Sequence, residues 1–301
     1  TEAMRLISAV AFAALFCPST GLVTPVRRVL TGNRLFVEDR RAGCLRPSQA
    51  SLAAQDSTAA GHAGTVPIGR HVKIGGRVLT PTGLGYLLVS FGFAALSYLL
   101  LIPSWLIDKS TGTKANTRVA RVVRLWARAS MAVMGYKKPK VEGLENLPDA
   151  SEAVMVVPNH TSFLDILTIS AFLPRNVKYI SKVEILRLPF VGWAMRMADH
   201  IAIRRDSRAS QLRTLKDAIG CLEDGNSLVT FAEGTRSRDG KLASFKKGPF
   251  TMAKRAKKKV LPVRISGLHR FMPPFAIMPI ATPTGVTVRI HPPVETVGRS
   301  E

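Results

Sequence analysis

The segment Ala153-Val-Met-Val-Val-Pro-Asn-His-Thr-Ser-Phe-Leu-Asp165 gives the clearest indication of the architecture, because an apolar, β-branched run ends in a turn and leads into a helix-forming stretch. It predicts a strand over 153–157 and a helix over 162–172. The alternation continues with predicted strands over 177–180, 201–203, 227–231, 260–265 and 286–290 and predicted helices over 183–197, 207–224 and 247–255. Short strands that alternate with longer helices indicate an α/β domain, which we expect to have a central mixed sheet flanked by helices.

Composition and charge limit the classes of protein that fit. The 301 residues are 46% hydrophobic, which is enough to bury a sizeable core and excludes a disordered or fibrous chain. Lysine and arginine number 43 against 20 acidic residues, so the net charge of +23 favours negatively charged partners: phosphate, anionic lipid, an acidic protein or nucleic acid. Cys17, Cys44 and Cys221 have neither the spacing of a disulfide scaffold nor that of a zinc site, so we expect no metal.

Residues 1–77 have the composition of a targeting leader. Residues 4–16 place an apolar run after a basic residue, which is typical of a signal peptide and too short to span a bilayer. Residues 17–77 have only Glu38, Asp39 and Asp56 as acids, as expected of a transit peptide. Together they resemble a bipartite plastid-targeting leader. The alternative is an ordinary basic, disordered extension, and in either case we expect these residues to have no fold.

An uncharged segment follows the leader. Residues 78–107 carry no charge, and spanning a bilayer takes roughly 20 apolar residues. Over 118–134, apolar side chains fall on one side of a helix and Arg118, Arg121, Arg124 and Arg128 fall mostly on the other, which suits a helix lying on anionic lipid. We therefore predict a membrane-attaching helical segment over 78–138. The alternatives are a buried core helix and, for 118–134, a helix that packs on the rest of the protein.

His160 and Asp165 are the candidate catalytic pair. On one regular helix, residues five apart point about 140° away from each other, so the two can meet only if His160 precedes the helix. Pro158 disfavours helix just before it and Ser162 is a good N-cap, so we place His160 in the turn. A carboxylate on one imidazole nitrogen would leave the other to act as a general base. The alternative is structural, since Ser162-x-x-Asp165 is also a capping box.

A second group of residues, within 227–240, combines features that bind phosphate. Gly234 lets the backbone approach a ligand closely, Thr235 offers a hydroxyl, and Arg236 presents a planar fork of donors. These residues follow a predicted strand, where α/β proteins place ligands. The alternative is a solvated turn.

Other basic residues fall near the same predicted site. Lys246 and Lys247 precede a predicted helix, whose N-terminus favours an anion. Arg204 and Arg205 follow the predicted strand over 201–203 and could reach the site from that strand's end, although an ordinary strand terminus would have the same sequence.

The order of these motifs resembles the glycerolipid acyltransferase family. The matching segments are, in order, Asn159-His160-x-Ser162-x-x-Asp165, Ser181-Lys182 to Pro189-x-x-Gly192-Trp193-Ala194-Met195, Ile201-x-Ile203-x-Arg205, Phe231-Ala-Glu233-Gly234-Thr235-Arg236-Ser237 and Val260-Leu-Pro262-Val263. Residues 238–248 and 288–293 are most similar to the 1-acylglycerol-3-phosphate acyltransferases of plastids and cyanobacteria. The resemblance implies that residues 139–301 form an acyltransferase catalytic domain.

The resemblance also implies a reaction. The sn-2 hydroxyl of lysophosphatidic acid would attack an acyl thioester, carried by coenzyme A or acyl carrier protein, and phosphatidic acid would form without a further cofactor. His160 would be the base and Asp165 its orienter. The implied binding residues are Glu233, Gly234, Thr235 and Arg236 for the glycerophosphate, Lys182 and Arg205 for positioning the acceptor, and Pro262 for the acyl-donor side. The enzyme would be membrane-associated, in the plastid envelope or, alternatively, the endoplasmic reticulum.

Three features depart from the family's usual pattern. Ala232 stands where the family usually has proline, and Asp199-His200 occupies a stretch that often carries glycine. The chain also ends soon after residue 293, without the C-terminal helix of many relatives, so we expect a truncated form of the gene product.

Two kinds of alternative function are compatible with parts of the sequence. Relatives with the same His and Asp acylate glycerol 3-phosphate or another lysophospholipid, and these are the alternative acceptors. A basic nucleic-acid-binding or membrane-scaffold protein is the alternative of a different class. A nucleic-acid-binding face would need stacking aromatics, whereas aromatic residues make up 7% of the chain and the uncharged segment 78–107 has no role in binding nucleic acid. We therefore expect no nucleic-acid partner.

Overall fold

The structure is a computed structural model that describes residue 68 and residues 70–74, 76–113, 116–136, 138–204 and 207–298. Its strands are β1 Val72–Ile74, β2 Arg77–Leu79, β3 Lys140–Glu142, β4 Met155–Pro158, β5 Val177–Lys182, β6 Ile201–Ile203, β7 Ser227–Val229, β8 Val260–Ser266 and β9 Thr287–Ile290. Its helices are α1 Pro81–Ser110, α2 Thr117–Val133, α3 Leu164–Phe172, α4 Val183–Leu186, α5 Val191–Met197, α6 Arg208–Glu223 and α7 Gly248–Arg255. Residues 1–67 of the predicted leader lie outside the described residues.

Seven strands form one mixed sheet in the order β3-β9-β8-β4-β7-β5-β6, as the alternation of strands and helices predicted. The five strands from β8 to β6 in this order are parallel. β9 runs antiparallel to β8, and β3 is parallel to β9. The carboxyl ends of the five parallel strands therefore meet at one edge, where α/β sheets commonly bind ligands.

Helices cover both faces of the sheet because the central strands are apolar on both sides. Successive side chains of a strand point to opposite faces. Val154 and Val156 pack into a core that includes residues of α2 and α3, whereas Met155 and Val157 pack into a second core with residues of α6 and α7. The strand β4 is thus buried from both sides, which is typical of parallel sheets.

Helix α1 has one buried side and one exposed apolar side. It is the one helix in the described part of the chain that is long and apolar enough to cross a membrane, and only 22% of its most apolar window is buried. Exposed leucines are found along its length: Leu84, Leu88, Leu96, Leu99, Leu100 and Leu106. The alternative of a fully buried core helix over 78–107 is therefore wrong.

Three arginines of helix α2 make polar contacts with the protein, although only Arg124 among them is partly buried. Arg118 pairs with the buried carboxylate of Asp108 at 2.8 Å. Arg124 and Arg128 donate to main-chain carbonyls at or just beyond the end of α3, at 2.9 and 2.8 Å. The helix packs against both α1 and α3. The packing on α1 and α3 agrees with the alternative that α2 packs on the rest of the protein, and the lipid-facing role of its arginines stays a prediction.

The predicted helix over 183–197 is two helices. Proline is unfavourable inside a helix, and Pro189 falls between α4 and α5. Phe190 then turns the chain with a positive φ of 60°. Gly192 makes the close approach of α5 to α4 possible, since a Cβ there would lie 2.4 Å from the Leu186 carbonyl oxygen. The Tyr98 hydroxyl of α1 donates to the Phe190 carbonyl and ties α1 to this turn.

The structured chain begins ahead of the predicted end of the leader. β1 and β2 form an antiparallel hairpin, with Val72 opposite Leu79. Val78 continues this pairing onto the body of the protein, because its amide donates to the Phe275 carbonyl at 3.0 Å and its carbonyl accepts from the Ile277 amide at 2.9 Å. The expectation that residues up to 77 have no fold is therefore wrong for the hairpin residues Val72–Ile74 and Arg77. Composition could not predict where the folded chain begins, because the partners of Val78 are distant in sequence.

Lys257 follows α7 in a conformation that favours glycine. Its φ is +51°, and the amides of Lys257 and Lys258 donate to the carbonyls of Lys254 and Ala253 at 3.1 and 2.9 Å, the pattern of a Schellman motif. The left-handed conformation costs a non-glycine residue about 1 to 2 kcal/mol. Glycine avoids this cost, but it loses more conformational entropy on folding, which reduces the gain by roughly 0.5 to 1 kcal/mol. We expect Lys257→Gly to raise the free energy of unfolding by about 0.5 to 1 kcal/mol, measured by denaturation in detergent.

The control is Lys257→Ala, which removes the same charge but keeps a Cβ. It should show no comparable gain. Equal stabilisation of the two variants would assign the effect to the lost charge and contradict the backbone argument.

Candidate active site

His160 lies in the turn between β4 and α3, as predicted, and contacts Asp165. Its Nδ1 is 3.1 Å from Asp165 Oδ2. The same oxygen accepts from the amides of Thr161 and Ser162 at 2.7 and 2.8 Å. The carboxylate therefore caps the turn that leads into α3, as the structural interpretation predicts, and it also contacts the imidazole as the catalytic interpretation requires.

The rest of His160 is held by residues that follow β7. Its amide donates to Glu233 Oε1 at 2.7 Å, and its carbonyl accepts from the Ser237 amide at 2.8 Å. The imidazole stacks on Phe231 with ring centroids 3.8 Å apart and an interplanar angle of 20°. The side chain is 14% exposed. Since Nδ1 is engaged with Asp165, Nε2 is the ring nitrogen that can exchange a proton with a substrate.

The surroundings of Asp165 are buried. Its side chain has no exposure, and its Oδ1 has no hydrogen-bond partner in the part of the chain that the structure describes. The Tyr136 hydroxyl lies nearby, 3.5 Å from Thr168 Oγ1. Burial, aided by the negative charge of Asp165, raises the pKa of Tyr136 to about 12 against the opposing hydrogen bond to Thr168. A carboxylate in such a weakly polar site interacts strongly with an imidazolium.

The loop after β7 carries Arg236, and the Lys246 side chain lies against it. Gly234 has a φ of +73°, and a Cβ there would lie 2.8 Å from Lys246 Nζ, so the lysine side chain lies over the loop at this glycine. Arg236 is half-buried. Burial lowers the pKa of its guanidinium, the charge of Arg77 lowers it further, and the charge of Asp165 raises it. The charges of Arg236 and Asp165, one of the candidate catalytic pair, thus influence each other.

The Glu233 side chain contacts main-chain groups on two sides of the site. The resemblance placed it among the residues that bind the glycerophosphate. Its carboxylate is buried and both oxygens are used inside the protein, Oε1 by the His160 amide and Oε2 by the Ala243 amide at 3.0 Å. A carboxylate would also repel a phosphate. The Glu233 carboxylate thus joins the His160 turn to the loop after β7, and its role toward the glycerophosphate stays a prediction.

The remaining predicted residues are less closely grouped. Thr235 is exposed on the loop next to Arg236. Lys182 is exposed at the carboxyl end of β5, on the same sheet edge but separated from β4 by β7. Pro262 lies opposite Val157 within the β4–β8 pairing, and its carbonyl accepts from the His291 amide at 3.0 Å. Arg205 lies outside the described residues.

Two contacts that sequence reasoning missed hold the His160 turn. The side-chain amide of Asn159 bonds both main-chain groups of Ile265, accepting from the amide at 2.7 Å and donating to the carbonyl at 2.9 Å. Ser162 Oγ donates to the Met272 carbonyl at 3.1 Å. An asparagine directly after a strand-ending proline is a local signal for such a side-chain clamp, but the sequence does not identify its partner.

Comparisons with known proteins agree with this geometry. The Acyltransferase family model matches residues 138–266. The chain is 40% identical over 173 residues to the chloroplastic 1-acyl-sn-glycerol-3-phosphate acyltransferase LPAT1 of Arabidopsis thaliana, covering 58% of this chain and 48% of that protein. It is 41% identical over 152 residues to a 1-acyl-sn-glycerol-3-phosphate acyltransferase of Chlamydomonas reinhardtii, covering 50% and 45%. The chain thus spans about half the length of the curated relatives it matches.

A solved structure is also similar. The crystal structure of the 1-acyl-sn-glycerophosphate (LPA) acyltransferase PlsC from Thermotoga maritima matches with a TM-score of 0.59 and 30% sequence identity. The match covers 72% of this chain and 88% of that one.

Proposed function

Since the chain belongs to the acyltransferase family, we propose that it transfers a fatty acyl group from an acyl thioester to the sn-2 hydroxyl of 1-acyl-glycerol-3-phosphate, which gives phosphatidic acid. One observation carries the proposal: His160 Nδ1 is held by Asp165, which leaves Nε2 for the substrate, beside a loop that presents Arg236. The names of the relatives support the acceptor.

The chemistry follows from this arrangement. His160 Nε2 takes the proton of the acceptor hydroxyl while the hydroxyl oxygen attacks the thioester carbonyl carbon. The tetrahedral intermediate collapses, the carbon–sulfur bond breaks, and the leaving thiolate receives the proton from the imidazolium. Asp165 stabilises that imidazolium and keeps its ring orientation. The acyl group thus passes directly from donor to acceptor, and no protein nucleophile is acylated.

The acceptor phosphate binds at the loop after β7. Arg236 supplies a fork of donors that matches phosphate oxygens, and Lys246 adds a second positive charge above Gly234. Glycine at 234 leaves room for the Lys246 side chain to lie against the loop. Thr235, Lys182, Arg205 and Pro262 belong to this proposal on the strength of the family motifs alone.

Membrane attachment through α1 is part of the same proposal. The exposed apolar side of α1 suits the hydrocarbon of a bilayer, and the acceptor and product are themselves lipids. In this arrangement 78–138 is the attaching segment and 139–301 the catalytic domain. The chloroplastic relatives and the leader-like composition of the N-terminal residues support the plastid envelope as the location.

The test is an assay of labelled acyl groups entering phosphatidic acid. The full chain is reconstituted in vesicles with lysophosphatidic acid and, in parallel, acyl-coenzyme A or acyl carrier protein loaded with the same acyl group. Label in phosphatidic acid with either donor supports the proposal and identifies the donor. Label that enters only another lysophospholipid or only glycerol 3-phosphate would replace the proposed acceptor.

Arg236→Lys should weaken acceptor binding, because the ammonium keeps the charge but loses the two-pronged contact with phosphate. We expect KM for lysophosphatidic acid to rise roughly tenfold and, in Arg236→Ala, roughly 100-fold, since hydrogen bonds to charged groups contribute about 1.5 to 3 kcal/mol. KM for the acyl donor should stay unchanged in both variants. The exposed neighbour Arg238 provides the control, and Arg238→Lys should behave as wild type. An equal change in KM for donor and acceptor would contradict a phosphate-binding role.

A further inference from the structure

The chain between β7 and α7 carries exposed apolar side chains next to the candidate active site. Residues 238–248, here called the rim loop, are all exposed. Leu242 and Phe245 are 65% and 53% exposed, although both side chains are large and apolar. The Phe245 ring contacts the Phe250 ring, with centroids 6.2 Å apart, and still leaves more than half of its surface to solvent. Apolar side chains that are exposed together, rather than singly, mark a contact surface.

Main-chain hydrogen bonds fix the rim loop to the candidate active site. The Ala243 amide donates to Glu233 Oε2 at 3.0 Å, and the other oxygen of this carboxylate accepts from the His160 amide at 2.7 Å. The Lys246 amide donates to the Ala232 carbonyl at 2.9 Å. Each of the two exposed apolar residues is the chain neighbour of one of these anchored amides. Their positions beside the His160 turn are therefore fixed by the fold.

The His160 turn is also connected to the start of α1. The Met272 carbonyl accepts from a serine hydroxyl of this turn at 3.1 Å. Further along the same segment, Met278 packs closely on α1, since a Cβ at Gly83 would lie 2.9 Å from the Met278 Cβ. The exposed leucines of α1 begin at the next residue, Leu84. The rim loop and the first turn of α1 are thus both joined to the catalytic turn by short chains of contacts.

The charge of the rim loop suits an anionic surface. Its single acid is Asp239, and its four cations are Arg238, Lys241, Lys246 and Lys247. One oxygen of the Asp239 carboxylate accepts from Ser237 Oγ at 3.0 Å and from the Lys241 amide at 3.1 Å, so this carboxylate is used within the loop. Aromatic and aliphatic side chains beside lysines are typical of a segment that enters the headgroup region of an anionic bilayer.

We infer that the rim loop is a second membrane contact, in which Leu242 and Phe245 enter the boundary between headgroups and acyl chains and Lys241 and Lys247 contact anionic headgroups. Attachment through α1 alone leaves the protein free to rotate about this helix, whereas a second contact fixes which surface meets the bilayer. The His160 turn then faces the headgroup region, where the hydroxyl and phosphate of a lysophospholipid lie. The inference rests on the proposed function for its lipid acceptor.

The first experiment compares Leu242→Ser and Phe245→Ser with Leu212→Ser in the full chain. Leu212 is 60% exposed on α6, so its variant removes the same kind of side chain from a different surface. Acyl transfer is measured with lysophosphatidic acid in anionic vesicles and with a short-chain lysophosphatidic acid dissolved as a monomer. Both rim-loop variants should raise KM for the vesicle acceptor roughly tenfold, the order of effect expected for burial of one large apolar side chain, and leave KM for the dissolved acceptor unchanged. Leu212→Ser should match wild type with both acceptors.

Two results of this experiment would contradict the membrane contact. An equal loss with the vesicle and the dissolved acceptor would indicate a distorted active site. A rise in KM for acyl carrier protein loaded with the acyl group, without a change for the vesicle acceptor, would mean that the rim loop docks the donor instead of lipid.

A measurement of insertion that needs no turnover separates this inference from the proposed function. Phe245→Trp and Leu212→Trp are each bound to anionic vesicles that contain brominated phospholipids, which quench tryptophan at the level of the acyl chains. Phe245→Trp should lose more fluorescence than wild type, whose own tryptophans are Trp105, Trp126 and Trp193, and Leu212→Trp should not. Zwitterionic vesicles should reduce the additional quenching, because the lysines then lose their anionic partners.

The quenching result stands whichever acceptor the enzyme uses. If wild type acylates a water-soluble acceptor only, the proposed function fails, and the comparison of the two tryptophan variants still decides whether the rim loop enters the bilayer. Equal quenching of the two variants, or none beyond that of wild type, would overturn the inference.

Discussion

Replacement of His160 by alanine should lower the rate of acyl transfer by roughly 10² to 10⁴, the usual contribution of a general base. The imidazole is held by Asp165, by the Glu233 carboxylate through the main chain, and by the stacked Phe231 ring. Such fixing keeps Nε2 in one position for the acceptor hydroxyl. Alanine removes this nitrogen but leaves the main-chain bonds of the turn in place, so the variant should fold.

The measurement is kcat for labelled transfer to lysophosphatidic acid in vesicles, beside KM for both substrates. The control is His269→Ala, which removes a half-buried imidazole whose Nε2 lies 3.2 Å from the Arg238 carbonyl oxygen. It should keep the wild-type rate. An active His160→Ala enzyme would contradict the mechanism, whereas a folded but inactive one with unchanged KM values would support base catalysis.

Local signals were enough to predict the His160 turn. Pro158 and Ser162 flank the histidine, and they predicted that it precedes the helix. The structure confirms this placement, with α3 beginning at Leu164. Likewise Ser207 predicted a helix start, and its Oγ accepts from the Ser210 amide at 3.2 Å. Such signals act within a few residues, so the sequence contains both partners side by side.

Contacts between distant segments could not be predicted in the same way. Glu233 holds the His160 amide only because β7 lies next to β4, an order of strands that no local pattern contains. Helical periodicity placed the arginines of α2 away from its apolar side. It could not show whether an arginine there faces lipid or, as Arg118 does with Asp108, contacts a carboxylate of the protein. Arg77 was placed in the leader because the residues that pair with its neighbour Val78 are distant in sequence.

Asp165 combines two roles that a substitution can separate. In Asp165→Asn the amide oxygen can take the place of Oδ2 and keep the bonds to His160, Thr161 and Ser162, while the amide nitrogen takes the place of the unpartnered Oδ1. The turn is then preserved, but the negative charge beside the imidazole is lost. The carboxylate stabilises the imidazolium that forms when His160 takes the proton, so without its charge we expect kcat to fall roughly 10- to 1,000-fold.

Asp108→Asn is the matched control for this prediction. Asp108 is also buried, and its Oδ2 accepts from the amides of Arg118 and Val119 at 3.0 and 3.2 Å, so it caps α2 as Asp165 caps the turn before α3. Both variants remove a buried capping charge, and both should lower the melting temperature in detergent. Only Asp165→Asn should lower kcat at a temperature where both are folded. Equal losses of activity in the two variants would mean that Asp165 acts through stability alone. A folded Asp165→Asn enzyme with the wild-type rate would mean that Asp165 only caps the turn.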